Sequence, residues 1–476
     1  MKQFFRKYIC DKAFYRMLLA VALPIMLQNG VTNFVSLLDN IMVGKLGTNP
    51  MSGVAIVNQL MFVFNITVFG AMSGPGIFTA QFYGSKDTEG IRRTFRFKFI
   101  LALIIGAGSV LLFQLAGSGL ISLYLKGEGL PADIEATLGH AKDYLAIMMI
   151  GLAPFAVTQA YATTMREVKR TVPPMVSSLI AVAVNLSLNY VLIYGHFGMP
   201  ALGIRGAAIA TVISRFVECF ILVLWTHMAH RLNPFIEGAF RHFYIPVVLI
   251  RNMLFKCVVF LSNELLWAGG VTTLVQLYCR RGLIVVGAMN ITNTINDLLN
   301  VVFLALGSAI SILLGHMLGA DKKQEAKIAA RKMVVFSTAV SVAVGAVMAG
   351  LAFVFPLIYN TTAEIRALAR QLMLVCAYCM PLWGITNAAY FTLRSGGNAL
   401  LTFASDSAFM WVISIPLVYV LVRFTGLPIL TIFALCKLSE ILKALFGIIF
   451  INTPYWMTSV VRKNSQDKLS NADQSC

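Results

Sequence analysis

The first residues that can do chemistry are acids set inside apolar stretches. Between Leu18 and Val43 the chain reads LLAVALPIMLQNGVTNFVSLLDNIMV, and Asp39 is its one acid. A carboxylate in hydrocarbon costs about 2.5–3.5 kcal/mol on insertion scales. Gln28, Thr32, Ser36 and Asp39 follow one another at steps of three or four, which lines them up on one face of a helix. Such a stripe belongs against a protein interior or a water-filled cavity, not against lipid. A buried acid with no cation beside it can load and release a proton. Ringed by amide and hydroxyl oxygens, it can instead hold a hard cation such as sodium. Asn185 and Asn189, one turn apart in a later apolar stretch, would complete such a set if their helix neighbours that of Asp39.

Other apolar stretches carry further polar groups. Glu264 lies in LSNELLWAGG, which makes it a second candidate for ion coupling or a sodium site. Asn290, Thr294 and Asp297 form a stripe, with Asn293 and Asn300 beside it. Asn58 and Asn65 share a face two turns apart. Asp406 sits between Ser405 and Ser407 near the start of a span, where it can serve a cavity, cap a helix or bind Arg394. Amides inside a span also serve simply to bond one helix to the next, at about 0.6–2 kcal/mol each. The deep acids have fewer alternatives, because nearby spans offer few cations. Met61, Phe62 and Trp267 are candidates for apolar and cation–π contact with a substrate.

These groups are held by a chain of 476 residues, 58% hydrophobic and 12% charged, with a mean hydropathy of +0.79. Soluble domains carry about 25% charge. The composition specifies an all-α integral membrane protein. Hydropathy and helix breakers place about twelve spans, near 17–43, 53–80, 98–124, 140–165, 174–195, 206–228, 249–278, 283–316, 332–358, 366–393, 401–423 and 428–452. The net charge of +18 does not point to nucleic acid, because the basic residues cluster in alternate loops. One side holds roughly 25 of them with the termini and the other about 9, so both termini are expected in the cytoplasm. The basic start MKQFFRKYICDKAFYR reads as an amphipathic lead-in with no cleavage site, and the tail SQDKLSNADQSC as polar and disordered. Of eight scattered cysteines, Cys376 and Cys379 form a C-x-x-C inside an apolar helix, which reads as packing.

The chain also repeats. GAMSGPGIFTAQFYGSKDTEGIRR follows the second span, and GSAISILLGHMLGADKKQEAKIAARK follows the eighth. A shift of 235 sets Gly84 on Gly319, Gly47 on Gly282 and Asn29 on Glu264. A second echo sets YATTMR (161–166) against YFTLR (390–394), and Asn185–Tyr190 against Ser414–Tyr419. A shift of six spans keeps orientation, so two six-helix lobes are expected, 1–235 and 236–476, as parallel repeats about an axis along the membrane normal. The basic stretch from His227 to Arg251 joins them. Lobes of this kind place a substrate site near the midplane between them.

No H-E-x-x-H, no phosphate loop and no nucleophile elbow is present, which argues against an enzyme or a nucleotide-driven motor. No filter-like TVGYG or Arg-rich sensor helix argues for a channel. His227 and His230 read as membrane-edge residues, and His316 as packing.

The quoted stretches resemble the MATE family, the multidrug and toxic compound extrusion transporters. VALPIMLQNGVTNFVSLLDNIMVGKLG, TAQFYGSKD, NLSLNYVLIYG (185–195), LGIRGAAIATVISR (202–215), GHMLGADKKQEA and LRSGGNALLTFASDSAFMWVISIPLVYVL (393–421) follow family order over nearly the whole chain. The resemblance implies two lobes of six helices and export of cationic or amphipathic compounds in exchange for H+ or Na+. It implies no other cofactor, and a monomer in the plasma or inner membrane. Asp39 matches the first-helix acid of the family, Glu264 the acid of helix 7 and Asp406 the Asp of helix 11. Asn185 or Asn189 stands where some members carry Asp, and Asn398 where many do. A lipid-linked sugar flippase of the same broad superfamily is the alternative. It would need a cationic cavity for pyrophosphate.

Overall fold

The structure, a computed structural model, describes residues 12–125 and 131–459. The first eleven residues of the lead-in with Cys10, and the tail SQDKLSNADQSC with Cys476, lie outside the described residues. Among the described residues there are helices and no strands. In order they are α1 (Lys12–Gly44), α2 (Thr48–Gly84), α3 (Thr88–Tyr124), α4 (Pro131–Ile150), α5 (Leu152–Glu167), α6 (Val172–Tyr194) and α7 (Ile204–Met228). After a connector come α8 (Val247–Cys279), α9 (Leu283–Gly319), α10 (Lys323–Val354), α11 (Ala363–Ser395), α12 (Ala399–Phe424) and α13 (Ile429–Asn452). Short 3-10 turns at His230–Leu232 and Phe355–Ile358 complete the order.

Ten of these helices are long and apolar enough to cross a membrane, and α4 with α5 makes an eleventh span bent by 45°. The bend has local causes. Gly151 is the hinge residue, its missing side chain leaving room for Arg215 Cδ and Val212, and Pro154 removes a backbone donor from the first turn of α5. The twelfth expected span is α13. Its 24 residues are long enough, but Lys437, Glu440 and Lys443 lower its apolarity. Asp87 caps α3 by accepting from Gly90 N at 2.8 Å, and Thr362 caps α11.

The described residues form two compact units. One comprises the residues up to Met26, Ala80–Lys86 and the residues from Val258 on. The other comprises Leu27–Thr79 and Asp87–Cys257. The second has one core, around Val57, Phe64, Phe113, Tyr144 and Ile193. The first has two, one around Leu18, Leu313, Phe391 and Trp456 and one around Tyr278, Phe303, Met373 and Val418. Cys376 packs in the latter, and its thiol and that of Cys379 are free.

The repeat is written into the backbone. Gly47 and Gly282 (47 to 282) take φ of 119° and 125°, and Lys86 and Asp321 (86 to 321) take 61° and 58°. Within the first unit the space a side chain would need at Gly84 is filled by the His316 backbone, and that at Gly319 by the Gln81 backbone. The same shift of 235 carries Gly84 to Gly319 and Gln81 to His316, so the contact is reciprocal. His316 also meets the Tyr83 ring at 4.7 Å.

Candidate functional site

Asp39 lies near the end of α1 and faces two amides one turn apart on α6. Asn189 Nδ2 donates to Asp39 Oδ1 at 2.7 Å and to Asn185 Oδ1 at 3.1 Å. Asn185 Nδ2 donates to Thr211 Oγ1 on α7 at 3.3 Å. Turned over, the Asn185 amide instead donates to both Asp39 oxygens, at 3.2 and 3.3 Å. Asn185 and Asn189 are 6% and 1% exposed, and the Oδ1 of Asn189 receives no donor among the described residues. No cation pairs with Asp39 among the described residues. The group is therefore a half-buried carboxylate surrounded by neutral oxygen and amide dipoles, with a net charge of one unit when ionised.

The rest of the α1 stripe is less uniform than its spacing predicts. Thr32 and Ser36 are exposed, and their hydroxyls bond back to Gln28 O and Thr32 O on their own helix. Gln28 is buried, and its Oε1 accepts from Arg166 at 2.7 Å. Arg166, one residue past the span expected at 140–165, thus reaches back to α1.

The acids of the other unit sit in a different setting. Glu264 on α8 accepts from Arg394 on α11 and from Tyr390 OH, both at 3.2 Å. The Arg394 guanidinium lies over the Phe260 ring at 5.1 Å and is 5% exposed. Asp406 on α12 accepts from Lys443 on α13 at 2.7 Å and from Asn263 at 3.1 Å. Asn263, fully buried, ties the two pairs together: its Nδ2 also reaches Tyr390 OH at 3.3 Å. Its backbone oxygen accepts from Ser407 Oγ at 2.7 Å. Asp406 belongs to a π-helical stretch, Ala404–Ala408, followed by a second at Met410–Ser414. The extra residue per turn leaves backbone groups for side chains to satisfy. Two acids and two cations make this cluster neutral.

The expectation that neighbouring spans offer few cations is therefore corrected. Arg394 pairs with Glu264 and not with Asp406, and Lys443, unremarked in the sequence, takes Asp406. Asp406 does not cap the helix. It is 9% exposed, and α12 is capped by Asn398, whose side chain accepts from Leu401 N. An Asn there does the capping that an Asp would do. Met61 is 4% exposed and packs in the core with Val57 and Phe64. Phe62 is exposed, while Trp267, Asn58 and Asn65 are half-buried. Asn290, Thr294 and Asp297 share an exposed face of α9, and Asp297 has no ion-pair partner among the described residues.

Two further buried charges escaped the sequence reading. Lys98 on α3, fully buried, is ion-paired with Glu167 at the end of α5 and lies 3.3 Å from Thr164 Oγ1. Gly76 leaves room for that carboxylate. The residue types were in view, but nothing local in the sequence joins positions 98 and 167.

The description MatE matches residues 24–191 and 260–420. The chain belongs to the MatE family. Relatives of this MatE protein include the "Multidrug resistance protein NorM" of Photobacterium profundum, 25% identical over 85% of this chain and 87% of that one. The "Probable multidrug resistance protein YoeA" of Bacillus subtilis is 24% identical over 86% and 87%. In fold the MatE chain is similar to a crystal structure of MATE in complex with MaL6, at a TM-score of 0.82 and 16% identity, covering 91% and 95% of the two chains. An outward-facing multidrug resistance MATE family transporter of the MOP superfamily fits as well, at 0.82 and 17%, with 91% and 95% covered. The chain is thus a multi-pass membrane protein of a transporter family.

Proposed function

We propose that this MatE protein is a secondary active exporter of cationic or amphipathic organic compounds, driven by inward H+ or Na+ exchange at Asp39. The observation that carries the reading is the Asp39 setting: a carboxylate held by Asn189 and beside Asn185, with no cation to neutralise it. A proton satisfies such a group directly. A sodium ion would also find the unbonded Oδ1 of Asn189 close by. Glu264, already balanced by Arg394, serves as a structural acid in this reading and not as a second ion site. Asp297, on the exposed stripe with Asn290 and Thr294, supplies the negative charge that a cationic substrate meets, and Phe62 and Trp267 supply apolar and cation–π contact. Asn58 and Asn65 add polar contacts near the Phe62 face.

Transport proceeds by alternating access, with 1–235 and 236–476 as the moving lobes, both termini in the cytoplasm, and the protein acting as a monomer in the plasma or inner membrane. Ion binding at Asp39 must disfavour substrate in the outward state, and linked sites of this kind couple by about 1–3 kcal/mol. A membrane potential adds about 2.3 kcal/mol per charge per 100 mV.

Asp39→Asn keeps the shape and the hydrogen bonds and removes the charge. In proteoliposomes with an imposed pH or sodium gradient, the variant should show only leak of a fluorescent organic cation, with an unchanged melting temperature. Gradient-driven export at the wild-type rate would sink the coupling role. Running the assay with and without sodium separates the two ions. Export of a pyrophosphate-linked lipid and not of a cation would favour the flippase reading.

A further inference from the structure

A cavity of about 400 Å³ opens where the turn between α5 and α6 meets the last turns of α7. Lys169, Arg170, Val172, Val176, Ile221 and Trp225 are among its lining residues. We infer that it binds an anionic phospholipid, with the phosphate headgroup against Lys169 and Arg170 and an acyl chain along α6.

The charge argument comes first. Four charged residues follow one another from Arg166 to Arg170, with Val168 between them. Glu167, the one acid, is turned inward to Lys98, and Arg166 to Gln28. Lys169 and Arg170 are exposed and have no ion-pair partner among the described residues, so the mouth of the cavity carries two uncompensated positive charges. The positive end of the α6 dipole adds to them. Pro173 and Pro174 contribute no N–H, so the side chains must supply the hydrogen bonds to an anion. Partial burial holds the Lys169 ammonium below its ordinary pKa, a strain that a phosphate within reach would relieve.

The apolar wall decides for a lipid over a soluble phosphate. Val172, Val176 and Ile180, at steps of four, are 53%, 42% and 41% exposed. They continue the cavity wall as an apolar track down α6, of a kind that an acyl chain uses and a free anion does not. Trp225, half-buried in the cavity lining, is a residue type favoured at the level of lipid headgroups. A volume of this size falls within the roughly 300–1,000 Å³ typical of small-ligand sites. The inference rests on the membrane orientation proposed above only for which leaflet supplies the lipid.

The test is tryptophan quenching in the full-length protein. Phosphatidylglycerol or phosphatidylcholine, each brominated on its acyl chains, is titrated into the protein in neutral detergent. The signal from Trp225 is isolated by comparison with Trp225→Phe. Each cation near a lipid surface favours anionic lipid about five-fold, so brominated phosphatidylglycerol should quench Trp225 at roughly 30-fold lower concentration than phosphatidylcholine. Lys169→Gln combined with Arg170→Gln should remove that preference. Equal quenching by the two lipids in the wild type overturns the inference, whether or not the double variant folds. So does a preference that survives in a folded double variant. Displacement of the anionic lipid by millimolar inorganic phosphate assigns the cavity to a soluble anion and overturns it as well.

Discussion

Asp39 and Asn189 bond across α1 and α6. The repeat carries them to Leu274 and Val418 (39 to 274, 189 to 418), and both of those pack in one apolar cluster of the second half. The reverse holds at a second pair of places. Arg166 ends the YATTMR motif and reaches Gln28 on the first helix of its half. Arg394 ends the YFTLR motif and reaches Glu264, one residue past the repeat position of Gln28 on the first helix of its own. The same arginine latch thus closes on a neutral amide in one half and on an acid in the other. Among the described residues Asp39 has no cation beside it, whereas two second-half acids, Glu264 and Asp406, answer buried cations and a third, Asp297, lies unpaired on an exposed face. Counting acids in spans overstates the number of ion sites, because a carboxylate balanced by Arg394 or Lys443 has no charge left to offer an incoming ion.

That contrast can be broken by removing charges one at a time. The largest effect on stability belongs to Lys443→Met, which leaves Asp406 buried beside Asn263 without its cation. Loss of one partner of a buried pair costs about 3–5 kcal/mol, and the melting temperature in detergent should fall accordingly. The joint change Asp406→Leu with Lys443→Met should recover most of the loss. If the single variant is as stable as wild type, the pair is not holding the cluster. Asp297→Asn comes next. It should raise the KM for a cationic substrate by about 5- to 150-fold, the span of a coupling of 1–3 kcal/mol, while transport of a neutral amphipath stays as it was. An unchanged KM for the cation, or the same rise for both substrates, would remove Asp297 from the substrate face. Asn189→Ala is the smallest. Loss of one hydrogen bond to a charged group, about 1.5–3 kcal/mol and less where water enters, should shift the ion concentration that half-saturates transport and lower stability by no more than that.

Much of this was legible in the sequence, for reasons of geometry. Asp39 stood out because a span has few polar residues and helical spacing put it on a stripe. The repeat showed because Gly47, Gly84 and their counterparts are required by backbone conformation and close approach, which side-chain drift cannot erase. The cation partners were hidden. Arg394 and Arg166 sit at helix ends, where hydropathy assigns them to loops, yet their long side chains reach back into the spans. Lys443 pairs with a residue 37 positions away on another helix, and no local pattern encodes that contact. The burial of Met61 was not legible because α2 has apolar residues on every face, so periodicity alone does not tell its core face from an exposed one.

The central claim is that only the first-half acid exchanges ions. It is tested most directly by measuring, in proteoliposomes, the H+ or Na+ moved per substrate cation exported by Glu264→Gln and by Asp39→Asn. The account predicts that Glu264→Gln, once its fold is verified, keeps the wild-type ratio, and that Asp39→Asn moves substrate with no counter-ion or not at all. A reduced ratio in Glu264→Gln, with the ratio intact in Asp39→Asn, would contradict it.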